Sequence, residues 1–268
     1  MTTLDFSDRV VVITGAGRGI GRAHAELLAS LGAAVVVGDL GATIDGSGTE
    51  GDDPASEVVE AITAAGGRAV ACSADVATEE GANALVDAAL SEFGQLDAVI
   101  NNAGIVRTAR FDEVPYEEYQ RHLDVHYFGA LRVCRAAWPH LLKSPAGRVV
   151  NTISQAMLGN PDMSHYGGSK GALFGLTRNL AVEGLAAGVM VNAIAPGAGT
   201  VWPKPLPTVF PRRLWSTCVP SCARSTSHRS LPTSSTRTAQ SPVRSSTWPV
   251  ESSTGLHSSI RSASMIPR

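Results

Sequence analysis

Long hydrophobic runs are absent from this chain of 268 residues. No stretch approaches the ~20 apolar residues that a membrane span requires. The first residues, MTTLDFSDRV, also lack the basic and then apolar pattern of a secretory signal. These absences argue against a membrane protein and predict a cytoplasmic location.

Aromatic residues and cysteines are scarce as well. Aromatic side chains make up 5% of the sequence. They are not interleaved with basic residues, as they are in proteins whose aromatic rings stack on nucleic-acid bases, which argues against a nucleic-acid partner. The four cysteines are too few for a disulfide framework, and Cys218 with Cys222 has no second pair to complete a zinc site. We therefore predict ordinary thiols and no bound metal.

The charge is distributed unevenly along the chain. Residues 1–200 carry 13 Lys and Arg against 23 Asp and Glu, a net charge of −10, whereas residues 201–268 carry 9 against 1, a net charge of +8. The first part holds 26 of the 27 glycines, and the second holds 9 of the 15 prolines together with 16 serines. This break predicts a folded domain over 1–200 and a Ser/Thr/Pro/Arg-rich tail over 201–268 with the composition of disordered chains.

Strand and helix patterns alternate along residues 1–200. The β-branched run Val10–Ile13 is typical of a strand buried on both faces of a parallel sheet, and it is followed by a helical period. Further strands are predicted at 34–37 and near 69–72, 97–101, 147–153 and 189–195. Helices are predicted near 54–65, 79–93, 116–142 and 165–187, and the Gly- and Asp-rich segment 41–53 is predicted to be a surface loop. The alternation predicts an α/β fold, a doubly wound parallel sheet of the Rossmann type.

A glycine-rich turn joins the first strand to the first helix. Gly15, Gly19 and Gly21 would let backbone amides and a helix N-terminus approach a pyrophosphate, although such turns also occur without a ligand. Asp39 ends the second strand, where an acid can hydrogen-bond an adenosine ribose and repel a 2′-phosphate. This favours NAD over NADP. The alternatives are that Asp39 is a cap or turn residue and that Arg18 favours a phosphate.

The glycine-rich turn and several later motifs form an ordered set. They are TGAGRGIG, Asp75-Val76, NNAG at 101–104, Ser154, Tyr166-x-x-x-Lys170 and Pro196-Gly197. Over residues 7–200 the set resembles the short-chain dehydrogenase/reductase family. The resemblance implies an oxidoreductase that interconverts a secondary alcohol and a ketone by hydride transfer with a nicotinamide cofactor.

The resemblance also implies a role for each motif residue. Hydride transfer requires a group that supplies or removes the hydroxyl proton, and Tyr166 would be that acid or base. A free phenol has a pKa near ~10, so Lys170, one helical turn away, would lower it and also hold the nicotinamide ribose. Ser154 would orient the substrate oxygen. The implied cofactor contacts are Gly15, Arg18, Gly19, Ile20, Gly21, Asp39, Asp75, Val76, Asn101, Asn102, Ala103, Gly104, Tyr166, Lys170, Pro196, Gly197 and Thr200.

Two positions depart from the family pattern. His126 stands where the family usually has a helical asparagine that helps to relay protons, and a histidine could relay protons too, although a lone helical histidine is more often structural. Ser154 precedes Tyr166 by 12 residues, one fewer than usual in the family, and Ile153 occupies the usual spacing.

A closer resemblance indicates the substrate class. DLG with its glycine-rich loop, ASEVVEAI, NNAGIVR, His126 and NAIAPGAGT resemble the (3R)-hydroxyacyl-CoA dehydrogenase domain of the type-two multifunctional enzyme of β-oxidation, which implies acyl-CoA substrates. Steroid and 3-oxoacyl reductases share most of these motifs. Another alternative is a catalytically impaired nucleotide-binding relative.

Resemblance stops at Thr200, before the substrate loop and the seventh strand of the family. One hypothesis is out-of-frame translation from about codon 201; the other is a genuine basic tail that binds acidic surfaces. Family members form dimers or tetramers partly through the missing region. We therefore expect this chain to be monomeric or prone to aggregation.

Overall fold

The computed structural model describes residues 4–49 and 53–197. Thr200 and the predicted tail, 201–268, lie outside the described residues. Six strands form one parallel sheet in the order β3-β2-β1-β4-β5-β6. The strands are β1 (Val10–Thr14), β2 (Ala34–Gly38), β3 (Arg68–Cys72), β4 (Ala98–Asn101), β5 (Arg148–Thr152) and β6 (Met190–Ile194). The predicted doubly wound sheet is confirmed.

The strand order reverses at β1, which pairs in parallel with both β2 and β4. Val12 lies beside Val36 of β2 and Val99 of β4, and all three side chains are fully buried. The sheet therefore extends through β2 and β3 on one side of β1 and through β4, β5 and β6 on the other. This arrangement opens a crevice at the carboxyl ends of β1 and β4, where ligands bind in such sheets.

Helices connect the strands. They are α1 (Gly19–Ser30), α2 (Pro54–Ala64), α3 (Glu79–Phe93), α4 (Tyr116–Leu123), α5 (Gly129–Leu141) and α6 (Ser164–Leu185). Their ends follow local chemistry: the Thr78 hydroxyl accepts the Gly81 N–H to cap α3, and Gly94 ends it at φ 75°. No helix within the described residues is long and apolar enough to cross a membrane.

Alternate residues of the strands build two cores. Val11, Ile13, Val35 and Val37 pack with apolar residues of α1 and α2 on one face of the sheet. The intervening valines pack with α3 and α5 on the other face. A strand buried on both faces explains why β1 and β2 read as continuous valine runs.

The stretch predicted as one helix near 116–142 is interrupted in the structure. A π-helical turn, Asp124–Phe128, separates α4 from α5 and contains His126. The spacing of hydrophobic residues does not distinguish a π-helical turn from an α-helical one, so the interruption was not predicted. Such turns are common at functional sites.

The predicted surface loop after β2 folds back on itself and contacts the segment after β4. Ala42 and Thr49 form an antiparallel bridge, and the Val106 N–H donates to the Ile44 carbonyl at 2.9 Å. The loop therefore covers the segment that follows β4.

Gly21→Ala tests the tight closure of the glycine turn. A Cβ on Gly21 would lie 2.1 Å from the Gly15 carbonyl oxygen, so the backbone must shift. We expect a loss of about 1–3 kcal/mol or more in the free energy of unfolding, measured with urea.

Gly175→Ala is the matched control for that substitution. It lies within α6 with no heavy atom within 4 Å of its added Cβ. We expect a gain of about 0.5–1 kcal/mol, because alanine in a helix loses less backbone entropy than glycine. Equal losses in both variants would contradict the close approach.

Candidate active site

The glycine turn packs against the NNAG segment and is hydrogen-bonded to it. Gly15 (φ 63°) lies so close to Ala103 that an added Cβ would be 2.7 Å from the Ala103 Cα, and Gly19 also has a positive φ of 53°. The Asn102 amide donates to the Gly15 carbonyl at 2.9 Å. Arg18 is the N-cap residue of α1, and its side chain does not cap the first N–H groups of that helix. Ile20 lies half-buried in its first turn.

Asp39 stands at the end of β2 with its carboxylate turned toward this loop. One oxygen accepts the Gly17 N–H at 2.8 Å and the other accepts the Gly41 N–H at 2.9 Å. The guanidinium of Arg18 donates to the Ala42 carbonyl at 3.4 Å. The structure therefore places an acid beside the glycine turn and directs Arg18 at least partly toward the loop after β2.

Asp75 and Val76 lie between β3 and α3. The Asp75 carboxylate accepts the Ala77 N–H at 2.9 Å and so shapes the turn. Val76 is buried and packs against Gly129, whose added Cβ would lie 3.0 Å from a Val76 methyl group. The two residues border the crevice from the β3 side.

The two asparagines of NNAG have different roles. The Asn102 side chain holds the glycine turn, as described above. The Asn101 amide is buried and donates to Asn151 at 2.8 Å and to Cys134 at 3.3 Å. Its amide thereby joins β4 to β5 and α5 beneath the site, and the cofactor contact implied for Asn101 by resemblance stays a prediction. Gly104 is exposed in the crevice.

Ser154, despite its short spacing, reaches Tyr166. Its hydroxyl accepts the Ala156 N–H at 3.2 Å, which starts a short 3-10 helix, Gln155–Leu158, and it also forms a hydrogen bond with the Tyr166 phenol. Ile153 points the other way, into a core cluster with Ala130 and Leu173. Of the two candidate positions, the structure brings only Ser154 to the tyrosine.

Tyr166 and Lys170 lie on one face of α6, both buried. The Lys170 Nζ lies 5.8 Å from the Tyr166 ring centroid and donates to the Thr152 carbonyl at 2.7 Å. Burial lowers the Lys170 pKa to about 7. Burial also raises the Tyr166 pKa, against the opposing effect of the Ser154 hydrogen bond. Desolvation is the larger of these two effects, so the net direction is upward. That Lys170 lowers the phenol pKa stays a prediction.

His126 is buried in the π-helical turn between Tyr166 and the NNAG segment. Its Nε2 accepts the Ile105 N–H at 3.1 Å, and its Nδ1 lies 2.8 Å from the Ser169 hydroxyl. Burial, followed by the charge of Lys170, holds its pKa well below the usual value. A proton relay through His126 stays untested, but both ring nitrogens already have partners.

Two further histidines adjoin this group, and sequence reasoning missed them. His122 lies 4.5 Å from His165 and 5.5 Å from His126 between ring centroids. The His165 Nε2 lies 2.9 Å from the Arg107 carbonyl, so it fixes the segment after β4. The spacing of His122 and His126, one helical turn apart, was the available signal. No cluster of metal-ligating side chains is found within the described residues.

Pro196 and Gly197 follow β6 at the same end of the sheet, and Thr200, the last predicted contact, lies outside the described residues. The crevice thus brings together the glycine turn, Asp39, NNAG, Ser154, Tyr166 and Lys170. This arrangement can hold a dinucleotide beside a proton donor.

Comparison with known proteins agrees with this geometry. The family model described as short chain dehydrogenase matches residues 9–201. The chain belongs to the short chain dehydrogenase family. It is an oxidoreductase of the kind that acts on CH–OH groups, and the resemblance seen in the sequence is confirmed.

Individual relatives give the same result. A short-chain type dehydrogenase/reductase of Mycobacterium tuberculosis is 46% identical over 194 residues, which is 72% of this chain and 68% of that protein. The crystal structure of a short chain dehydrogenase from Mycobacterium avium is 41% identical, with a TM-score of 0.65, over 73% of this chain and 68% of that one.

Larger relatives match over only part of their length. The peroxisomal hydratase-dehydrogenase-epimerase of Saccharomyces cerevisiae is 45% identical, and the peroxisomal multifunctional enzyme type 2 of Mus musculus is 41% identical. The matches cover 72% and 74% of this chain but 21% and 26% of those proteins. The chain therefore resembles one segment of each.

Lys170→Met tests the burial of the ammonium group. Because burial lowers the Lys170 pKa to about 7, the unfolded chain binds more protons than the folded one above that pH. The cost of Lys170 to stability is therefore greatest at neutral pH and below, and it shrinks as the pH rises. We compare the urea midpoint of Lys170→Met with that of the unsubstituted chain at each pH. The difference, variant minus unsubstituted chain, should decrease as the pH is raised from 7 to 9.

The exposed Lys143 provides the control for this measurement. Lys143→Met should show a midpoint difference that does not change over the same pH range. A constant difference for Lys170→Met as well would contradict the lowered pKa.

Proposed function

We propose that this chain is an NAD-dependent dehydrogenase that interconverts a secondary alcohol and a ketone, and that residues 1–200 carry the activity. The observation that supports it is the buried Tyr166 phenol, hydrogen-bonded to Ser154, with Lys170 over its ring, at the crevice beside the glycine turn. A proton donor in that position is what hydride transfer to a carbonyl carbon needs.

NAD fits the residues that line the crevice. Gly15 and Gly21 leave no room for a Cβ at the glycine turn. The N-terminus of α1 begins at this turn and is not capped by the Arg18 side chain, which suits a pyrophosphate. Asp39 would accept a hydrogen bond from the adenosine ribose, while Lys170 would hold the nicotinamide ribose. When bound, the nicotinamide accepts or donates the hydride.

Tyr166 acts on the oxygen of the substrate. Because burial raises its pKa, the phenol is protonated at neutral pH, and it can donate that proton to a ketone oxygen during reduction. Alcohol oxidation needs the phenolate, which becomes more abundant as the pH rises. Ser154, bonded to the same phenol, would hold the substrate oxygen in place.

Tyr166→Phe should abolish turnover, with a loss in kcat of at least about 10²–10⁴, the range expected for removing a general acid. NADH binding, measured by fluorescence titration, should persist because the glycine turn and Asp39 are intact. Tyr116→Phe, the same change at a side chain that is 79% exposed, is the control and should retain activity. Turnover that survived Tyr166→Phe would refute the mechanism.

Asp39→Asn tests the cofactor preference. Removing the charge beside the glycine turn should lower the preference for NAD over NADP, as a ratio of Kd values, by about tenfold, or about 1.4 kcal/mol. Asp45→Asn, at a half-buried residue of the loop that follows, should leave the ratio unchanged. An unchanged ratio for Asp39→Asn would remove the support for NAD.

The substrate class we propose is an acyl-CoA ester with a 3-hydroxyl or 3-oxo group. It is supported by the shared NNAGIVR and His126 pattern and by the two peroxisomal relatives. Activity on 3-hydroxyacyl-CoA should exceed activity on steroid alcohols in a side-by-side assay. NADH binding without turnover of either would favour a nucleotide-binding protein instead. The cytoplasmic location and the monomeric state stay predictions.

A further inference from the structure

A continuous series of hydrogen bonds runs from the cofactor segment to the tyrosine. The Ile105 N–H lies 3.1 Å from the His126 Nε2, and the His126 Nδ1 lies 2.8 Å from the Ser169 hydroxyl. That hydroxyl donates to the Tyr166 carbonyl at 2.8 Å. Ile105 directly follows NNAG, so the series links two segments of the candidate site that come from distant parts of the chain.

The direction of each hydrogen bond is determined. A backbone N–H can only donate, so the His126 Nε2 must be the acceptor and, in a neutral ring, the hydrogen is on Nδ1. Nδ1 then donates to the Ser169 oxygen, whose own hydrogen goes to the Tyr166 carbonyl. The series leaves neither ring nitrogen without a partner.

The surroundings of His126 keep it neutral and in place. The ring is 1% exposed, and the rings of Tyr166 and His122 meet it edge to face. Burial and the nearby Lys170 charge hold its pKa well below the usual value. On the remaining side is Gly104, whose added Cβ would lie 3.0 Å from Nε2.

We propose that Ser169 is a positioning residue that links the His126 ring to the Tyr166 carbonyl. Through this link it fixes the position of the Tyr166–Lys170 turn of α6 relative to the Asn101–Ile105 segment. The proposal rests on the proposed function. It assigns His126 a role in holding the site rather than in moving a proton, because a ring whose Nε2 lone pair binds a backbone N–H has no site left to receive one.

Ser169→Ala removes the link without replacing Tyr166, Lys170 or any residue of the glycine turn. Because small misplacements of a reacting group cost rate, with 1 Å worth about 10²-fold, we expect kcat to fall about tenfold. The KM of the substrate and the Kd of NADH should change by less than about twofold. An unchanged kcat would overturn the proposal.

Thr177→Ala is the matched control. Its hydroxyl is buried in the same helix and donates to the Leu173 carbonyl at 2.8 Å, but it contacts Asn151 rather than His126. Both alanine variants should lose similar stability, and only Ser169→Ala should lose kcat. Equal losses of kcat in the two variants would show a merely structural role and overturn the proposal.

Two substitutions of His126 separate the two bonds of the ring. His126→Asn can keep a donor near Nδ1 for Ser169 while losing the acceptor for Ile105, and His126→Gln can do the reverse. If the Ser169 link positions the tyrosine, the asparagine variant should retain more kcat than the glutamine variant. The opposite order would overturn the proposal.

Nitrogen NMR of histidine-labelled, NADH-bound protein gives a result that does not depend on turnover. We expect His126 to carry its hydrogen on Nδ1 at pH 7 and the Nδ1 signal to shift in Ser169→Ala. A hydrogen on Nε2 would overturn the proposal. If the unsubstituted chain bound no NADH and showed no turnover, the proposed function would fail, and the spectrum of the free protein would still decide whether the link exists.

Discussion

The glycine turn after β1 lies directly against the backbone after β4, and the candidate site depends on this contact. Gly15 lies against Ala103, and Asn102 bonds the glycine turn. The Thr14 hydroxyl accepts the N–H groups of both Asn102 and Ala103 at 3.0 Å. Since β1 and β4 are neighbours only because the strand order reverses, topology and local sequence have to agree for the crevice to form.

Desolvation governs the charges around this contact. The same burial raises the pKa of Tyr166 and lowers the pKa values of Lys170 and His126, because each charged form loses water. All three groups are thereby shifted toward neutrality. The same exclusion of water strengthens the electrostatic interactions of any charge that develops on a bound substrate.

Much of the fold could be predicted from the sequence, because valine runs and helical spacing report burial directly. Each predicted strand lies within a few residues of its observed bounds, and Tyr166 with Lys170 shares a helix face as spacing requires. The π-helical turn, the inward Asn101 amide and the contacts of His122 and His165 could not be predicted. They depend on which side chains meet across elements, and a period of 3.6 residues carries no such information.

Ser154 shows why spacing along the chain is a weak guide to geometry. The loop to Tyr166 is shorter than the family pattern, and by spacing alone Ile153 would occupy the position of the serine. In the structure the strand alternation decides instead, since successive residues at the end of β5 point to opposite sides. Ile153 enters the core and Ser154 faces the crevice.

The shorter loop after Ser154 closes through its own backbone. Gly159 has a φ of 116°, and Asp162 has a φ of 59°, a conformation that aspartate tolerates better than most residues. The Asp162 carbonyl accepts the Ala109 N–H at 3.0 Å, which ties the loop to the segment after β4. These turns close the loop between Ser154 and Tyr166, and Ser154 makes its contact with Tyr166.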